Sequence, residues 1–358
     1  MNIVQATRQY EAWLASHVRI VKGDLSLKHR RMAADPFSFL RATFYRWMQL
    51  FPEHCPKLAR APVVLSVGDL HVENYGTWRD AEGRLVWGIN DFDEAFPLPY
   101  TSDLVRLATS AALLIRSGSR PLTLTEGAAA ILDGYRESLA AGGEPFVLSE
   151  KHPILRRAVT NRLRDPAAFW AKFAALRTTR EVPANVMQML RRALPVGTSA
   201  FRVAHRCAGL GSLGRERFTA LAEWGGGNCA REAKPLLPSA CAWARGLADD
   251  EIHYPRIVAK AVRTQDPFLH MEGRWIVRRL SPYCSRIELA NLPGKRDDKA
   301  LLHAMGWELS NVHLGSRRAA GAVLRDLNQR KPKWLRAAAE IMLDATLADW
   351  KDWQRRMR

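Results

Sequence analysis

Two short apolar runs, each followed by a cluster of acidic and amide side chains, constrain the fold of this chain most strongly. The first run, APVVLSV, leads into GDLHVENYG, and the second, RLVWGIN, leads into DFDEA. β-Branched and aromatic residues in such short runs predict strands, and the intervening TWRDAEGR contains the Asp and Gly residues of a turn. We therefore expect two neighbouring strands whose ends carry the two acidic clusters.

The acidic residues are concentrated in one part of an otherwise basic chain. Residues 69–103 contain eight Asp or Glu residues and two Arg residues, a local charge of −6, whereas the 358-residue chain has a net charge of +18. A charge of this size suggests an anionic partner, and the alternative is a proteome that is generally rich in Arg. Because the Lys and Arg residues form no block with interleaved aromatic residues, nucleic acid is not expected to be that partner.

The rest of the composition favours a cytoplasmic protein with a sizeable core. Hydrophobic residues make up 47% of the chain. No apolar run reaches the roughly 18 residues of a membrane span, and the N-terminus lacks the apolar block of a signal peptide. The five cysteines are scattered without a CxxC pair, which argues against a disulfide framework and a zinc ribbon.

The predicted elements follow the order helices, hairpin, helices, small sheet, helices. Apolar residues recur at helical spacing over roughly residues 3–17, after Pro36, over most of 101–195 and near the C-terminus. Residues 201–280 alternate apparent strands with glycine turns. We therefore divide the chain into an N-terminal helical segment (1–60), a helical lobe with both acidic clusters (61–200), a small β-rich lobe (201–290) and C-terminal helices (291–358).

The acidic clusters contain hard oxygen ligands. Asp69 and Asn74 lie five residues apart in one loop, and Asp91 follows the next predicted strand, so all three side chains can face one centre. Mg²⁺ takes one or two carboxylates and completes its shell with water and phosphate oxygens, and His71 adds a donor that can face a phosphate. The alternative is a capped turn, because Asp and Asn are frequent in turns of any protein.

The motifs GDLHVEN and NDFDEA resemble the catalytic loop and the metal-binding strand end of aminoglycoside and choline phosphotransferases and, more distantly, of protein kinases. This resemblance implies that Asp69 orients or deprotonates an acceptor hydroxyl and that His71 lies near the transferred phosphoryl group. It also implies that Asn74 and Asp91 bind the metal that bridges the phosphates.

Two further acids accompany these motifs. Asp93 stands where the kinase motif usually has a glycine, so the resemblance makes it a second metal ligand or an outer-shell group. Asp103, in YTSDLVRLA, resembles a buried Asp at a helix start that braces the catalytic loop. We expect Asp103 to have a structural role.

A glycine-rich segment follows much later in the chain. AGLGSLG lies between apparent strands, and its Gly209, Gly211 and Gly214, with Ser212 among them, have the spacing of a loop that covers phosphates. Such a pattern alone is weak, but a strand that could carry a phosphate-binding base follows it. A phosphate-covering loop placed after the acidic motifs reverses the order found in kinases, where the small β lobe comes first.

The strand REAK offers two bases for the phosphates. Arg231 occupies the position of the kinase lysine, and Lys234 lies three residues further on. An offset of three on a strand places two side chains on opposite faces, so only one of them can serve. We favour Lys234, and the alternative is that both are surface bases. Two other bases, Arg278 and Arg279, are interpreted as an exposed strand face, with substrate contact as the alternative.

The whole layout resembles an uncharacterised bacterial family of unknown function, whose members combine GDxHxxN(F/Y)G and NDFDE with a later GxGSxG. The resemblance covers roughly residues 30–315 and implies an α+β, protein-kinase-like fold of two lobes that is circularly permuted. The function that it implies is phosphoryl transfer from ATP to an unknown hydroxyl-bearing or anionic substrate, with Mg²⁺ as cofactor. A nucleotide-binding sensor without catalysis and an AMP-transferase are the alternatives.

Overall fold

The structure, a computed structural model, describes residues 1–119, 122–160, 165–248, 251–284 and 295–357. These residues form a mixed α+β protein that combines helices with small antiparallel sheets. The α+β class expected from the sequence is therefore confirmed. None of the helices in these ranges is long and apolar enough to cross a membrane.

Helices occupy most of the N-terminal, middle and C-terminal parts of the chain. Two of them, α1 and α6, begin with a capping box, in which Asn2 and Thr123 are the respective caps. The bounds are α1 Ile3–Ala15, α2 Lys22–Ala34, α3 Pro36–Ala42, α4 Phe44–His54, α5 Tyr100–Leu114, α6 Leu124–Ala141, α7 Pro153–Thr160, α8 Pro166–Ala174, α9 Ala184–Ala193, α10 Ala240–Arg245, α11 Tyr254–Lys260, α12 Lys295–His313, α13 Arg317–Gln329 and α14 Trp334–Met357.

The strands form a two-stranded sheet (β1-β4), a three-stranded sheet (β2-β3-β5) and a five-stranded sheet (β6-β7-β8-β10-β9). All pairings within them are antiparallel. The bounds are β1 Val63–Ser66, β2 Tyr75–Arg79, β3 Leu85–Ile89, β4 Phe96–Pro99, β5 Phe146–Val147, β6 Phe201–His205, β7 Phe218–Trp224, β8 Gly227–Pro235, β9 His270–Glu272 and β10 Trp275–Leu280.

The strands beside the acidic motifs pair differently from the expectation. β1 precedes the first motif and β3 precedes the second, but β1 pairs with β4, whereas β3 pairs with β2 and β5. The predicted pairing of the two apolar runs is therefore wrong, because the motif itself runs into strand β2, which takes the place beside β3. The clusters do lie at the ends of neighbouring strands, at the start of β2 and the end of β3. The two acidic loops still meet, since the backbone N–H of Asn90 donates to the carbonyl of Asn74 (3.1 Å).

Some helices also differ from the expectation. The helix expected after Pro36 is divided into α3 and α4, because Thr43 leaves helical geometry (φ −125°, ψ 39°) and its hydroxyl donates to the Phe39 carbonyl. Helices α2 and α13 were not expected. Helix α2 buries only Lys28 and Met32, so its apolar periodicity is weak. Helix α13 buries only Val323 and Leu327 on one side of an otherwise polar segment.

A second core lies under the five-stranded sheet, apart from the main core of the helices. Helix α9 falls within the range 61–200 that we assigned to the helical lobe, yet its buried side chains pack on this sheet. An amphipathic helix beside a sheet buries its apolar stripe on the nearest apolar face. The buried residues of this core are Val186, Met189, Leu190, Leu194, Val203, Phe218, Ala220, Ala233 and Val277.

Candidate functional site

The two acidic loops and the glycine-rich segment enclose one small cavity of about 60 Å³. It brings together eight of the residues singled out in the sequence, drawn from segments more than a hundred positions apart. Those eight are Asp69, His71, Asn74, Asp91, Asp93, Gly209, Gly211 and Ser212; the other lining residues are Arg41, Val67, Glu73, Glu94, Leu210 and Arg215.

Asn74 ties the two acidic loops together. Its side-chain amide nitrogen donates to the backbone carbonyls of Asp69 (3.3 Å) and Asp91 (3.0 Å). This use of the nitrogen leaves the amide oxygen as the end that can ligate a metal. Close by, the His71 Nδ1 accepts a hydrogen bond from the backbone of Glu73 (3.1 Å), which fixes the ring within the loop.

Asp69 is held by a fully buried arginine. Arg106 donates one hydrogen bond to the Asp69 carboxylate and another to the Leu40 carbonyl (2.8 Å), and its guanidinium lies 5.1 Å from the ring centres of Phe44 and Trp47. Burial raises the pKa of Asp69 above its usual value, although Arg106 and then Arg41 act in the opposite direction. A partly buried carboxylate with a raised pKa suits proton abstraction from a hydroxyl.

Asp103 braces the first loop from below, as we expected. Its two carboxylate oxygens accept hydrogen bonds from the backbone N–H groups of Val67 (2.7 Å) and Gly68 (3.0 Å). His313 of α12 lies 3.1 Å from the same carboxylate. Because Asp103 is completely buried and faces the backbone, its role is to hold the loop rather than to contact a ligand.

Lys234 enters the site from the five-stranded sheet. Its ammonium donates to Asp91 (3.0 Å) and to both carboxylate oxygens of Asp93 (2.7 Å each). Partial burial would raise the pKa of Asp91, but Lys234 and then Arg278 outweigh this and hold that pKa below its usual range. Burial and the neighbouring Asp91 raise the pKa of Asp93. The carboxylates of Asp91 and Asp93 therefore favour a cation between them.

Arg231 lies on the other side of the same strand. It donates to the Ala193 carbonyl at the end of α9 (2.7 Å), and its guanidinium lies 5.0 Å from the centre of the Phe268 ring. The opposite placement of Arg231 and Lys234 follows from the alternation of side chains along a strand. Of the two bases, the structure brings Lys234 into the cavity region and leaves Arg231 outside it.

The glycine-rich segment approaches Asp69 closely. A Cβ added to Gly211 would lie 3.3 Å from Asp69 Oδ2 and 3.3 Å from the Arg41 carbonyl, so glycine is the residue that permits this approach. Gly209 has a positive φ of 76° and also lines the cavity. Gly214 lies outside it, where its carbonyl accepts from the Val21 backbone (2.8 Å) and its Cα faces Leu25.

Several charged residues of the site were not singled out in the sequence. Arg106 follows Asp103 by three positions on α5, so helical spacing could have identified it. Glu94 lies within the second motif, and burial raises its pKa to about 7. Arg215 directly follows the glycine motif and lies 3.7 Å from Glu94. Lys28 donates to the Gly211 carbonyl (3.2 Å), but no sequence pattern marked it because its helix was not expected.

A second cavity of about 280 Å³ adjoins the first, and Gly209 lines both. Its walls are aromatic and basic, and they include Arg278 and Arg279. Because both arginines are partly buried in this wall, our interpretation of them as an exposed strand face is wrong. The lining residues are Thr77, Trp78, Asn90, Phe92, Phe169, Phe173, Arg206, Gly209, Tyr254, Arg263, Asp266, Leu269, Arg278, Arg279, Leu280, Ser281 and Cys284.

The donor set of the first cavity fits Mg²⁺ bound together with phosphates rather than a metal held by protein alone. Within the described ranges, no group of three or more His, Cys, Asp or Glu side chains is arranged to hold a metal ion. Mg²⁺ needs only one or two carboxylates when phosphate oxygens and water supply the other ligands. Asp91, Asp93 and the amide oxygen of Asn74 provide such a partial set.

Comparison with known proteins finds a match between part of the chain and one family model, and it gives no activity. No curated protein and no solved structure shows significant similarity to the chain. Residues 19–193, which include both acidic motifs and end before the glycine-rich segment, match the model of a family described as an uncharacterised protein conserved in bacteria (DUF2252).

Proposed function

We propose that this protein is a Mg²⁺-dependent phosphotransferase, which transfers the γ-phosphoryl group of ATP or a related nucleoside triphosphate to a hydroxyl group. The observation that carries the proposal is the convergence of three separate segments at one site. Asp69 and Asn74 from the first loop and Asp91 from the second line the first cavity, and Lys234 from the distant sheet pairs with Asp91. If the acidic motifs only capped turns, nothing would require these distant segments to meet.

The residues have distinct roles in this proposal. Asp69 accepts the proton of the acceptor hydroxyl, and Arg106 is a positioning residue that keeps the carboxylate turned toward the cavity. Asn74, Asp91 and Asp93 hold Mg²⁺, which neutralises charge on the phosphates. Lys234 is placed to contact phosphate oxygens, and the Gly209–Ser212 segment excludes water from the cavity.

The arrangement also supports a protein-kinase-like fold in permuted order. In such a fold a helical lobe carries the acidic motifs, and a small antiparallel sheet carries the glycine loop and the phosphate-binding lysine. Here β6, the glycine segment, β7 and β8 follow one another after the helical part of the chain. In protein kinases the phosphate-binding lysine pairs with a glutamate on a helix. Here Lys234 pairs with Asp91 and Asp93 instead.

Transfer of a labelled phosphate tests the proposal. Purified protein is incubated with Mg²⁺, a small-molecule extract of bacterial cells and a nucleoside triphosphate labelled at either the γ- or the α-phosphate. The proposal expects γ-label in an acceptor with wild type and none with Asp69→Asn. Transfer of α-label would instead support an AMP-transferase, and nucleotide binding without transfer of either label would support a sensor.

A further inference from the structure

The second cavity contains more positive charge than its surroundings neutralise. Glu232, fully buried behind the wall, accepts hydrogen bonds from Arg206, Arg217 and Arg278. Burial would raise the pKa of Glu232, but these three arginines hold it well below the usual range. Arg206 and Arg278 therefore have a partner already, and Glu232 fixes their positions at the cavity wall.

Two other arginines of the cavity have donors without such partners. Among the described residues, Nε and Nη1 of Arg263 and Nε of Arg279 are buried without a hydrogen-bond acceptor. The Arg263 guanidinium stacks against Trp78 and Phe92, 4.7 and 5.1 Å from the ring centres. Arg279 lies 4.0 Å from the centre of the Phe268 ring. Buried donors without acceptors cost free energy, so a ligand that brings acceptors would bind favourably here.

One carboxylate accompanies these arginines in the wall. Asp266 accepts a hydrogen bond from the Phe268 backbone through Oδ1 (2.9 Å), which leaves Oδ2 as an acceptor for a ligand donor. Burial raises the pKa of Asp266, while Arg279 and Arg263 oppose that rise. The cavity therefore offers arginine donors and a carboxylate acceptor, together with the flat faces of Trp78, Phe169 and Tyr254.

The position of the cavity relative to the phosphate site suggests its occupant. Gly209 lines both cavities, and Asn90 and Phe92, on either side of Asp91, line the second. In the proposed function the γ-phosphate lies beside Asp69, so the other end of the nucleotide reaches the second cavity. Aromatic faces suit a nucleobase, and a carboxylate in the wall disfavours a phosphate.

We infer that the second cavity selects guanine over adenine, so that the phosphoryl donor is a guanine nucleoside triphosphate. This inference rests on the proposed function. Guanine presents two acceptors, O6 and N7, which match bidentate guanidinium donors, and its N2 amino group donates. Asp266 accepts from that amino group and from N1–H. Adenine has a donor, N6–H₂, where guanine has O6, and this donor would face the arginines.

Calorimetric titration tests this inference with the Mg²⁺ complexes of GTP, ATP, inosine triphosphate and xanthosine triphosphate. We expect GTP to bind about tenfold or more tightly than ATP. Inosine triphosphate lacks the N2 amino group and should fall between them. Asp266→Asn should weaken GTP binding and strengthen xanthosine triphosphate binding, because the new amide can donate to the O2 of xanthine. Arg192→Met, at an exposed ion pair outside the cavity, serves as the matched control.

The outcomes distinguish the guanine inference from the proposed phosphotransferase function. Tighter binding of ATP than of GTP, or an Asp266→Asn variant with unchanged nucleotide preference, would overturn the guanine inference. If Mg²⁺-dependent binding still requires Asp91 in that case, the proposed phosphotransferase function stands without it. If wild type binds none of the four nucleotides, both the proposed function and the inference fail.

Discussion

Both carboxylate oxygens of Asp93 lie 2.7 Å from the ammonium of Lys234, a residue 141 positions further along the chain. This contact joins the five-stranded sheet to the second acidic loop. Asp91, 3.0 Å from the same ammonium, completes a cluster of two carboxylates and one base. The side chain of Lys234 is almost completely buried, so the cluster links the stability of the fold to the proposed phosphate site.

Replacement of Lys234 by Met is expected to reduce both stability and nucleotide binding. Removal of one partner leaves carboxylates in a largely buried site without their cation, which costs about 3 kcal/mol in the free energy of unfolding near neutral pH. Urea unfolding and calorimetric titration with the Mg²⁺–nucleotide complex measure the two effects.

Arg231→Met on the other side of the same strand is the matched control for Lys234. Arg231 contacts Ala193 and Phe268 rather than the acidic loops. We therefore expect its replacement to affect stability but to leave nucleotide affinity unchanged. Equal loss of nucleotide binding in the two variants would contradict the assignment of the phosphate contact to Lys234.

Replacement of Asp69 by Asn should strongly slow transfer while nucleotide binding persists. The amide cannot accept the proton of an acceptor hydroxyl, so the rate of transfer should fall about a hundredfold or more. Asp133→Asn, at an exposed acid on α6, should retain the wild-type rate. An Asp69→Asn variant that transfers phosphate at the wild-type rate would rule out the proposed role of this carboxylate.

The pH dependence of transfer should respond to Arg41. Asp69 must be ionised to accept a proton, and Arg41 lowers its pKa. Removal of that charge in Arg41→Met should therefore move the acidic limb of the rate profile toward higher pH. An unchanged or downward shift of this limb would contradict the view that Asp69 is the titrating group.

Gly211 tests the close approach of the glycine-rich segment to Asp69. In Gly211→Ala, the new methyl group would lie 3.3 Å from Asp69 Oδ2, so the segment must move away and transfer should slow about tenfold. Gly227→Ala is the matched control, since a Cβ there would have only an ordinary contact, 4.0 Å from the Trp224 carbonyl. If both variants transfer at the wild-type rate, the observed position of the segment does not matter for catalysis.

Stability should fall as pH rises from about 4.5 to about 7, partly because of Glu308. Burial raises the pKa of this carboxyl to about 7, so the folded chain retains a proton that the unfolded chain loses. A shift of this size corresponds to about 3 kcal/mol. In Glu308→Gln the decrease should be smaller by a comparable amount, as urea unfolding near pH 5 and pH 7.5 would show. An equally steep decrease in the variant would place the titrating group elsewhere.

The sequence predicted the local elements of the site better than their pairing. The apolar runs before Gly68 and Asp91 do form β1 and β3, because β-branched runs of this length favour strands in most contexts. The pairing of β1 with β4 depends on contacts that local patterns do not encode. Similarly, strand geometry predicted that Arg231 and Lys234 lie on opposite faces of the strand. It could not predict the partners of Lys234, which are distant in the sequence.

The charged residues around the motifs were the hardest to foresee. Arg106, Arg215 and Lys28 reach the site from three different elements. Each is buried beside an acceptor of its hydrogen bond, which is respectively the Asp69 carboxylate, the Tyr10 hydroxyl and the Gly211 carbonyl. Apart from the helical spacing that relates Arg106 to Asp103, the local sequence around these bases resembles that of surface bases. The aromatic and arginine-rich second cavity could not be predicted for the same reason, since its wall combines residues from seven separate segments of the chain.

Titration of the Mg²⁺–nucleotide complex into wild type and Asp91→Ala tests the central claim most directly. The account predicts that wild type binds GTP or ATP only when Mg²⁺ is present, and that Asp91→Ala loses this dependence because the metal has lost a carboxylate ligand. Absence of nucleotide binding by wild type at millimolar concentration, or equal Mg²⁺-dependent binding by Asp91→Ala, would contradict it.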